Sequence, residues 1–350
     1  MDFWLRQKIN ITRAVMILVF WMFANFGFEL YKLTFVSMEN RSLLWPDFIL
    51  RHAVAGGLAG IVGGLFLVYF NAYFFRKASY QAALVATGVV YCIGFACIWT
   101  IASRLPRPDY PLKFLDGLFS VSNLDVFLFW GGLVFCTAFL LQMGDKFGPG
   151  VLFQFILGKY HRPRQVFKIF MFLDMKNSTS IAETLGHKKY FQLLGTCFSD
   201  ITTPVIACQG EIYQYVGDGI VLAWNMEKGL KNQNCIRCFF DIQHRFERNA
   251  DRYKTRFGLV PGFRAGLHCG EVTAGEIGQI KRDIIYSGDV LNTTARIQDQ
   301  CKVINEQVLV SGLLVKKILP CNGYKFLPKG DTRLRGKHES VSLFAVTPLG

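Results

Sequence analysis

Apolar and polar positions divide this chain into two halves with different patterns. Over residues 1–145 the apolar positions run almost unbroken in four long segments, approximately Ala14–Tyr31, Val54–Phe75, Gln81–Ala102 and Val126–Met143. Each is near or above the ~20 residues that cross a bilayer as a helix. Asp, Glu, Lys and Arg stay out of the segment middles, which argues against an ion or proton path, where such groups are expected. Gly56, Gly60 and Gly64 recur at four-residue spacing. That register lets helix backbones approach closely, either within one bundle or across a seam between two chains. Asn25 and Glu29 are candidates for hydrogen bonds between helices. The first segment lacks a small-residue cleavage site and reads as a retained helix.

Four spans place both ends on one side. Arg6, Lys8, Arg13, Arg76, Lys77, Lys146, Lys159, Arg162 and Arg164 all fall there, and the positive-inside rule makes that side cytoplasmic. Lys32, Arg41, Arg104, Arg107 and Lys113 stand on the other. The expectation is a multi-pass anchor in the inner (plasma) membrane, its outer loops too small for a separate sensor domain. Residues 146–166 form a linker. A Gly/Pro break precedes an amphipathic run, Val151–Leu157, and a basic cluster. This reads either as an interfacial helix coupling the two halves or as a passive basic tether.

From residue 167 to 350 the pattern becomes strand, helix, hairpin, helix, strands. Ile169–Leu173 reads as a buried strand, followed by a helix over about Thr179–Asp200. Further strands are expected at Val205–Cys208 and on both sides of Asp218. One long amphipathic helix is expected over Asn234–Lys254. The stretch Gly262–Gly278 reads as a hairpin from its glycines and alternation. A helix begins near Val290, and GYKFLPKG with SVSLFAV closes the sheet.

Composition sharpens the division. A hydrophobic content of 51% and a mean hydropathy of +0.28 exceed those of an ordinary soluble protein. The net charge of +14 suits anionic lipid head groups or polyphosphates. The sequence shows no recognition helix, zinc finger or RNP-type strand, which sets nucleic acid aside. The CxxC at Cys235 and Cys238 lies in a helical pattern beside Phe239, Phe240 and Ile242, and reads as buried free thiols.

The candidate chemistry begins at Asp174, at the end of the buried strand, with Ser178 and Thr179 where a helix starts. A carboxylate facing a helix N-terminus suits a metal–phosphate site. A second acid, Asp218, occupies the turn of YQYVGDGIVLAW. Either acid alone reads as a cap or turn residue; together they supply what a paired Mg²⁺ site needs. Asn292 and Arg296, four apart, share one helical face. By themselves they read as a polar helix-start residue and a solvated charge.

FLDMKNST, YQYVGDGIVLAW, AGLHCGEVTAGEIG, YSGDVLNTTARI and LRGKHESVSLFAV, in that order, resemble the catalytic domain of class III nucleotidyl (adenylate/guanylate) cyclases of the membrane-bound bacterial type. The resemblance covers about half the chain. It implies an α+β ferredoxin-like catalytic domain behind the four-helix transmembrane domain, working as a head-to-tail homodimer with sites shared across the interface. It also implies two Mg²⁺ or Mn²⁺ ions per site, held by Asp174, Asp218 and the Met175 carbonyl. Asn292 and Arg296 match the transition-state pair contributed by the partner chain, and Lys337 matches the terminal phosphate binder. The implied reaction is ATP to 3′,5′-cyclic AMP and pyrophosphate.

The sequence departs from the pattern where the base is read. Gln214 and Ile285 stand where adenylate-forming members carry Lys and Asp, and guanylate-forming members Glu and Cys. Gln can both donate to and accept from adenine, whereas Ile only packs. ATP is the first expectation, then GTP, then a pyrimidine triphosphate. A catalytically degenerate nucleotide-binding scaffold is the alternative of another class, and retention of Asp174, Asp218, Asn292 and Arg296 argues against it.

Overall fold

The computed structural model describes residues 2–35, 56–69, 80–104, 124–147, 162–279, 283–320, 323–333 and 340–349. The chain divides into two compact units, Met1–Leu152 and Phe153–Gly350. Residues 148–161, which hold the expected amphipathic run, and Lys337 lie outside the described residues.

The first unit contains helices where apolar segments were expected: α1 (Asp2–Phe35), α2 (Gly56–Tyr69), α3 (Tyr80–Arg104) and α4 (Leu124–Phe147). Two stretches are long and apolar enough to cross a membrane, Asn10–Tyr31 and Leu124–Gly144. Gly56–Tyr69 and Val85–Cys97 are shorter apolar helices. Trp21 anchors the small core, edge-on to Trp130 at 5.7 Å, with its Nε1 donating to Thr137 Oγ1 at 2.9 Å. The glycine stripe packs inside this unit. A Cβ at Gly60 would lie 2.5 Å from Leu18, and one at Gly64 3.0 Å from the Ala14 carbonyl oxygen. Of the two expected roles for the stripe, the structure therefore realises packing of α2 on α1 within one chain. Met16, Phe23, Phe26, Val85 and Leu128 are exposed, so the outer surface of this unit is apolar.

The second unit is built on an eight-stranded mixed sheet. Its first part is built from β1 (Arg164–Met175), α5 (Ser178–Ala207), β2 (Glu211–Val216), β3 (Gly219–Asn225), α7 (Asn234–Arg248, preceded by the short α6, Met226–Leu230) and β4 (Phe263–Ile277). The antiparallel order β2-β3-β1-β4 makes this a βαββαβ unit of ferredoxin-like type. Between α7 and β4 lies α8 (Ala250–Phe257). After β4 come β5 (Asp283–Ser287), α9 (Asp289–Val303) and β6 (Val308–Ser311), the last parallel to β4. Helix α10 (Gly312–Ile318) and strands β7 (Tyr324–Arg333) and β8 (Ser340–Pro348) finish the sheet.

β1 is buried on both faces, which is why it reads as a continuous apolar run. Ile169, Met171 and Leu173 pack under Leu193, Cys197 and Ile201 of α5 and Phe239, Ile242 and Phe246 of α7. Phe170 faces the other way, with Val221, Ala223, Val272 and Tyr286. Cys235 and Cys238 are buried free thiols, as expected.

Three expectations change. Val205–Cys208 is not a strand but belongs to the end of α5, where Cys197, Ile201, Val205 and Cys208 continue one buried helical stripe. The long helix expected from Asn234 is two helices, α7 and α8, broken at Asn249. The stretch Gly262–Gly278 holds a single strand, β4, whose hairpin partner is β5. Its glycines make room for α9 rather than turns: a Cβ at Gly266 would lie 2.3 Å from Gln298 N, and one at Gly270 2.6 Å from Val290. Strand β6 and helix α10 were not read from the sequence at all.

Candidate active site

The site forms at one end of β1. Leu173 pairs with Ile220 of β3, so Asp174 comes level with the β2–β3 turn. That turn is Gly217-Asp218, with Gly217 at φ +60°. A left-handed first position marks the tight hairpin turns that match strand twist. Gly219, next to Asp218, lies against Asp174: a Cβ there would be 3.4 Å from Asp174 Oδ1. Asp174 and Asp218, both half-buried, are thereby brought together.

The juxtaposition has an electrostatic signature. The Asp174 carboxyl is pushed up to about 6, first by burial, then by the carboxylates of Asp218 and Asp299. Hydrogen bonds from Gln298 and the Met175 backbone oppose the rise. Gln298 Nε2 donates to Asp174 Oδ2 at 3.4 Å.

Helix α5 starts beside these acids. Asn177 adopts left-handed backbone at φ 55°, and the ladder begins with Ile181 N–H donating to Asn177 O at 3.0 Å. The N–H groups of the first turn have no intrahelical acceptor and form an anion-binding end. Helix α5 then breaks at Gly186 (φ 72°, ψ 159°). The break brings Tyr190 to the site, near Ser178 and the two acids. Burial, then Asp218, holds the Tyr190 pKa above its ordinary value. Lys176 is half-buried, and burial together with Arg264 lowers its pKa.

This donor set fits a hard divalent cation. Two carboxylates and a strand-end carbonyl offer oxygen ligands, and the mutual repulsion that raises Asp174 is what a dication relieves. Among the described residues no three His, Cys, Asp or Glu side chains form a complete cage. Mg²⁺ needs none, because it takes one or two carboxylates with waters and phosphate oxygens.

The other expected residues lie apart from the acid pair. On α9, Thr294, Ile297 and Cys301 are buried, while Asn292 is exposed and Arg296 half-buried. Within the chain it is Gln298 and Asp299 that face Asp174. Asn292 stands about 10 Å along the helix axis from Asp299, at 1.5 Å per residue. Gln214 pairs with Val221 across a bulge, and so shares the sheet face of Phe170 and Tyr286. Ile285 pairs with Gly275, one position from the Tyr286–Ala274 pair, so strand alternation turns it to the opposite face. The structure does not bring Gln214 and Ile285 together. Their neighbours meet instead: the Tyr213 and Tyr286 rings are 4.9 Å apart, and Tyr286 N–H donates to the Tyr213 hydroxyl at 3.1 Å.

Sequence reading missed Gln298, Asp299 and Tyr190. Gln298 and Asp299 were detectable as the next turn of the helix that carries Arg296. Tyr190 gave no signal, because it reaches the acids only through the break at Gly186.

Comparison with known proteins places this site in a family. The sequence model of the adenylate and guanylate cyclase catalytic domain matches residues 164–347. "Adenylate cyclase 2" of Rhizobium meliloti (strain 1021) is 35% identical over 209 residues, 60% of this chain and 58% of the relative. "Adenylate cyclase 1" of the same strain is 27% identical over 182 residues, 50% of this chain and 27% of the relative. The matches thus leave a large part of each relative uncovered. A solved bacterial light-regulated adenylyl cyclase shares the fold, with TM-score 0.54 and 19% identity over 65% of each chain. With half of its length matched and the paired acids in place, the chain belongs to the adenylate and guanylate cyclase catalytic domain family.

Proposed function

We propose that this protein is a membrane-bound adenylate cyclase, converting ATP into 3′,5′-cyclic AMP and pyrophosphate in a homodimer with sites shared between subunits. The observation that carries the reading is the convergence of Asp174 and Asp218 beside the N-terminus of α5. The 35% identity to a protein named adenylate cyclase supports ATP as substrate. Asp174, Asp218 and the Met175 carbonyl would hold two Mg²⁺ or Mn²⁺ ions, which when bound would lower the pKa of the ribose 3′-hydroxyl and clamp the triphosphate.

The chain's own residues do the rest. Free N–H groups at the start of α5 bind phosphate oxygens, and Gln298 fixes the Asp174 carboxylate. Arg296 of the second subunit meets negative charge growing on the α-phosphoryl group, and Asn292 orients the ribose. Loss of such a charge partner costs ~3–4 kcal/mol of transition-state stabilisation. Lys337 binds the terminal phosphate. Gln214 contacts the base from the sheet face it shares with Tyr286, and Ile285, turned to the opposite face, is left without a base contact in this reading. Helices α1–α4 hold the protein in the inner (plasma) membrane, where the apolar outer surface of the first unit meets lipid, and the catalytic unit is cytoplasmic.

The test offers the purified full chain all four ribonucleoside triphosphates with Mn²⁺ and identifies products by mass. Cyclic AMP as the main product is expected, with turnover abolished in Asp174→Asn and in Asp218→Asn. A different cyclic nucleotide would refute the substrate assignment, and near-normal turnover in either variant would refute the metal ligands.

A further inference from the structure

A second charged site lies away from the acid pair, between α5 and α8. There Asp200 is buried at 4% exposure. Its Oδ2 accepts from Asn249 Nδ2 at 3.1 Å, from the Tyr253 hydroxyl at 2.9 Å and from Arg252 Nη2. Its Oδ1 lies 3.6 Å from Arg245 Nη2. One carboxylate thus faces two guanidinium groups, and its oxygens are already occupied. Beside it opens a cavity of about 290 Å³, lined by Gln192, Thr196 and Ser199 of α5, Asp200 itself, and Arg252 and Arg256 of α8. That volume is near the lower end for small-ligand sites.

The cavity carries excess positive charge. Arg252 keeps half of its side chain in solvent (51%) while one edge holds Asp200. Arg256 lies over the Phe257 ring at 5.1 Å, and among the described residues no carboxylate pairs with it. Burial, then Arg248 and Arg252, lowers the Arg245 pKa, so cations here crowd one another. Planar guanidinium forks with the Ser199 hydroxyl and the Gln192 amide beside them match the oxygens of a phosphoryl group, while the Thr196 hydroxyl donates to the Gln192 carbonyl at 2.8 Å.

We propose that the cavity walled by Gln192, Thr196 and Ser199 of α5 and by Arg252 and Arg256 of α8 binds a small phosphoryl anion, inorganic phosphate or pyrophosphate, and acts through α5 on the acid pair. The link is short. Gln192 and Thr196 stand within two turns of Tyr190, on the same side of the Gly186 break. Asp200 fixes Arg252 so that its outer edge faces the cavity. An anion drawing α8 toward α5 changes the seating of the helix that carries Tyr190 to Asp174 and Asp218.

The site is tested apart from the catalytic reading, on the full-length Asp174→Asn/Asp218→Asn chain with metals chelated, so that phosphate cannot bind through ions at the acid pair. Isothermal calorimetry with inorganic phosphate, and separately with pyrophosphate, should show saturable binding. Arg256→Glu should weaken it at least tenfold, and Arg256→Lys, which keeps the charge but loses the fork, should weaken it less than Arg256→Glu does. Thr196→Glu, which adds a carboxylate from the opposite wall, should weaken it similarly, so a folding defect of one variant cannot explain the result. Circular dichroism should show all three variants folded. In the otherwise native chain, phosphate should change the Mn²⁺ concentration needed for half-maximal turnover, and Arg256→Glu should remove that response. Absence of saturable binding, or binding equal in the native, Arg256→Glu and Thr196→Glu cavities, would overturn the proposal.

Discussion

Gly266→Ala tests whether α9 is held at a fixed distance from the sheet. The added methyl would lie 2.3 Å from Gln298 N, 2.7 Å from Gln298 Cα and 2.8 Å from Thr294 O. These are backbone atoms of α9, so no side-chain rotation relieves the clash. To reach ordinary contact at 3.4 Å the helix must retreat by about 1 Å. Overpacking a core costs ~1–3 kcal/mol, and a rigid obstacle puts this case at the upper end, ~3 kcal/mol. At ~2–4 °C per kcal/mol for a unit of this size, the Tm should fall by ~6–12 °C. The same retreat carries Gln298 away from Asp174 and moves Asn292 and Arg296, and a 1 Å misplacement can cost ~10²-fold in rate. The assay is paired: thermal unfolding of the detergent-solubilised chain, and nucleotide turnover well below the variant's Tm. Gly195→Ala is the control for stability alone, because no atom lies within 4 Å of its added methyl but it lines the cavity beside Asp200. In a helix interior that change should gain ~0.5–1 kcal/mol. A Gly266→Ala chain with native Tm and native turnover would show that α9 is not seated as described.

Two further predictions concern the acids and the assembly. The Asp174 pKa is raised from 3.8 to about 6 in the folded chain. Between those values the folded state holds a proton that the unfolded state has released. Stability therefore falls as pH rises through this window, and the ionised form is disfavoured above it. With metals chelated, Asp174→Asn should melt above the native chain at pH 8 and level with it near pH 4; a constant difference across that range would contradict the burial of this carboxyl. Mixing Asp174→Asn chains with Arg296→Ala chains should restore activity to about a quarter of native, because half of the random dimers then carry one intact site of two. No recovery in verified heterodimers would exclude sites shared between subunits.

How much of this was legible in the sequence depended on the range of the interaction. β1 announced itself because a strand buried on both faces is apolar at every position, as Ile169–Leu173 is. The turn at Asp218 was legible because flanking glycines and alternating apolar residues are local signals. The glycines of β4 misled, because their cause is distant: Gly266 and Gly270 are small where α9 touches the strand, and a sequence read locally assigns them to turns. The end of α5 was misread for a related reason. A β-branched residue next to Pro204 suggests extended chain, yet the spacing of Cys197, Ile201, Val205 and Cys208 keeps the stripe helical. The acid pair was legible as two separate turn residues with matching chemistry. Gln298, Asp299 and Tyr190 were not, because their places in the site follow from a helix crossing and a kink that leave no local pattern.

The spacing of the two acids is itself set by the hydrophobic core. Asp174 has no freedom of register, because Ile169, Met171 and Leu173 must all face α5 and α7. Sliding β1 by one residue would carry all three to the other face of the sheet. β3 is fixed in the same way by Ile220, Leu222 and Trp224, buried in the same core. With Leu173 opposite Ile220, the next position along β1 must meet the β2–β3 turn, and the turn brings Asp218. Gly219 completes the approach, since a Cβ there would lie 3.1 Å from Leu173 O as well as near Asp174. The repulsion between the carboxylates, visible in the raised Asp174 pKa, is therefore maintained by apolar burial on both strands. Neither acid can move away without unpairing the centre of the sheet, so the approach of the two carboxylates, which suits a divalent cation, is fixed by the fold.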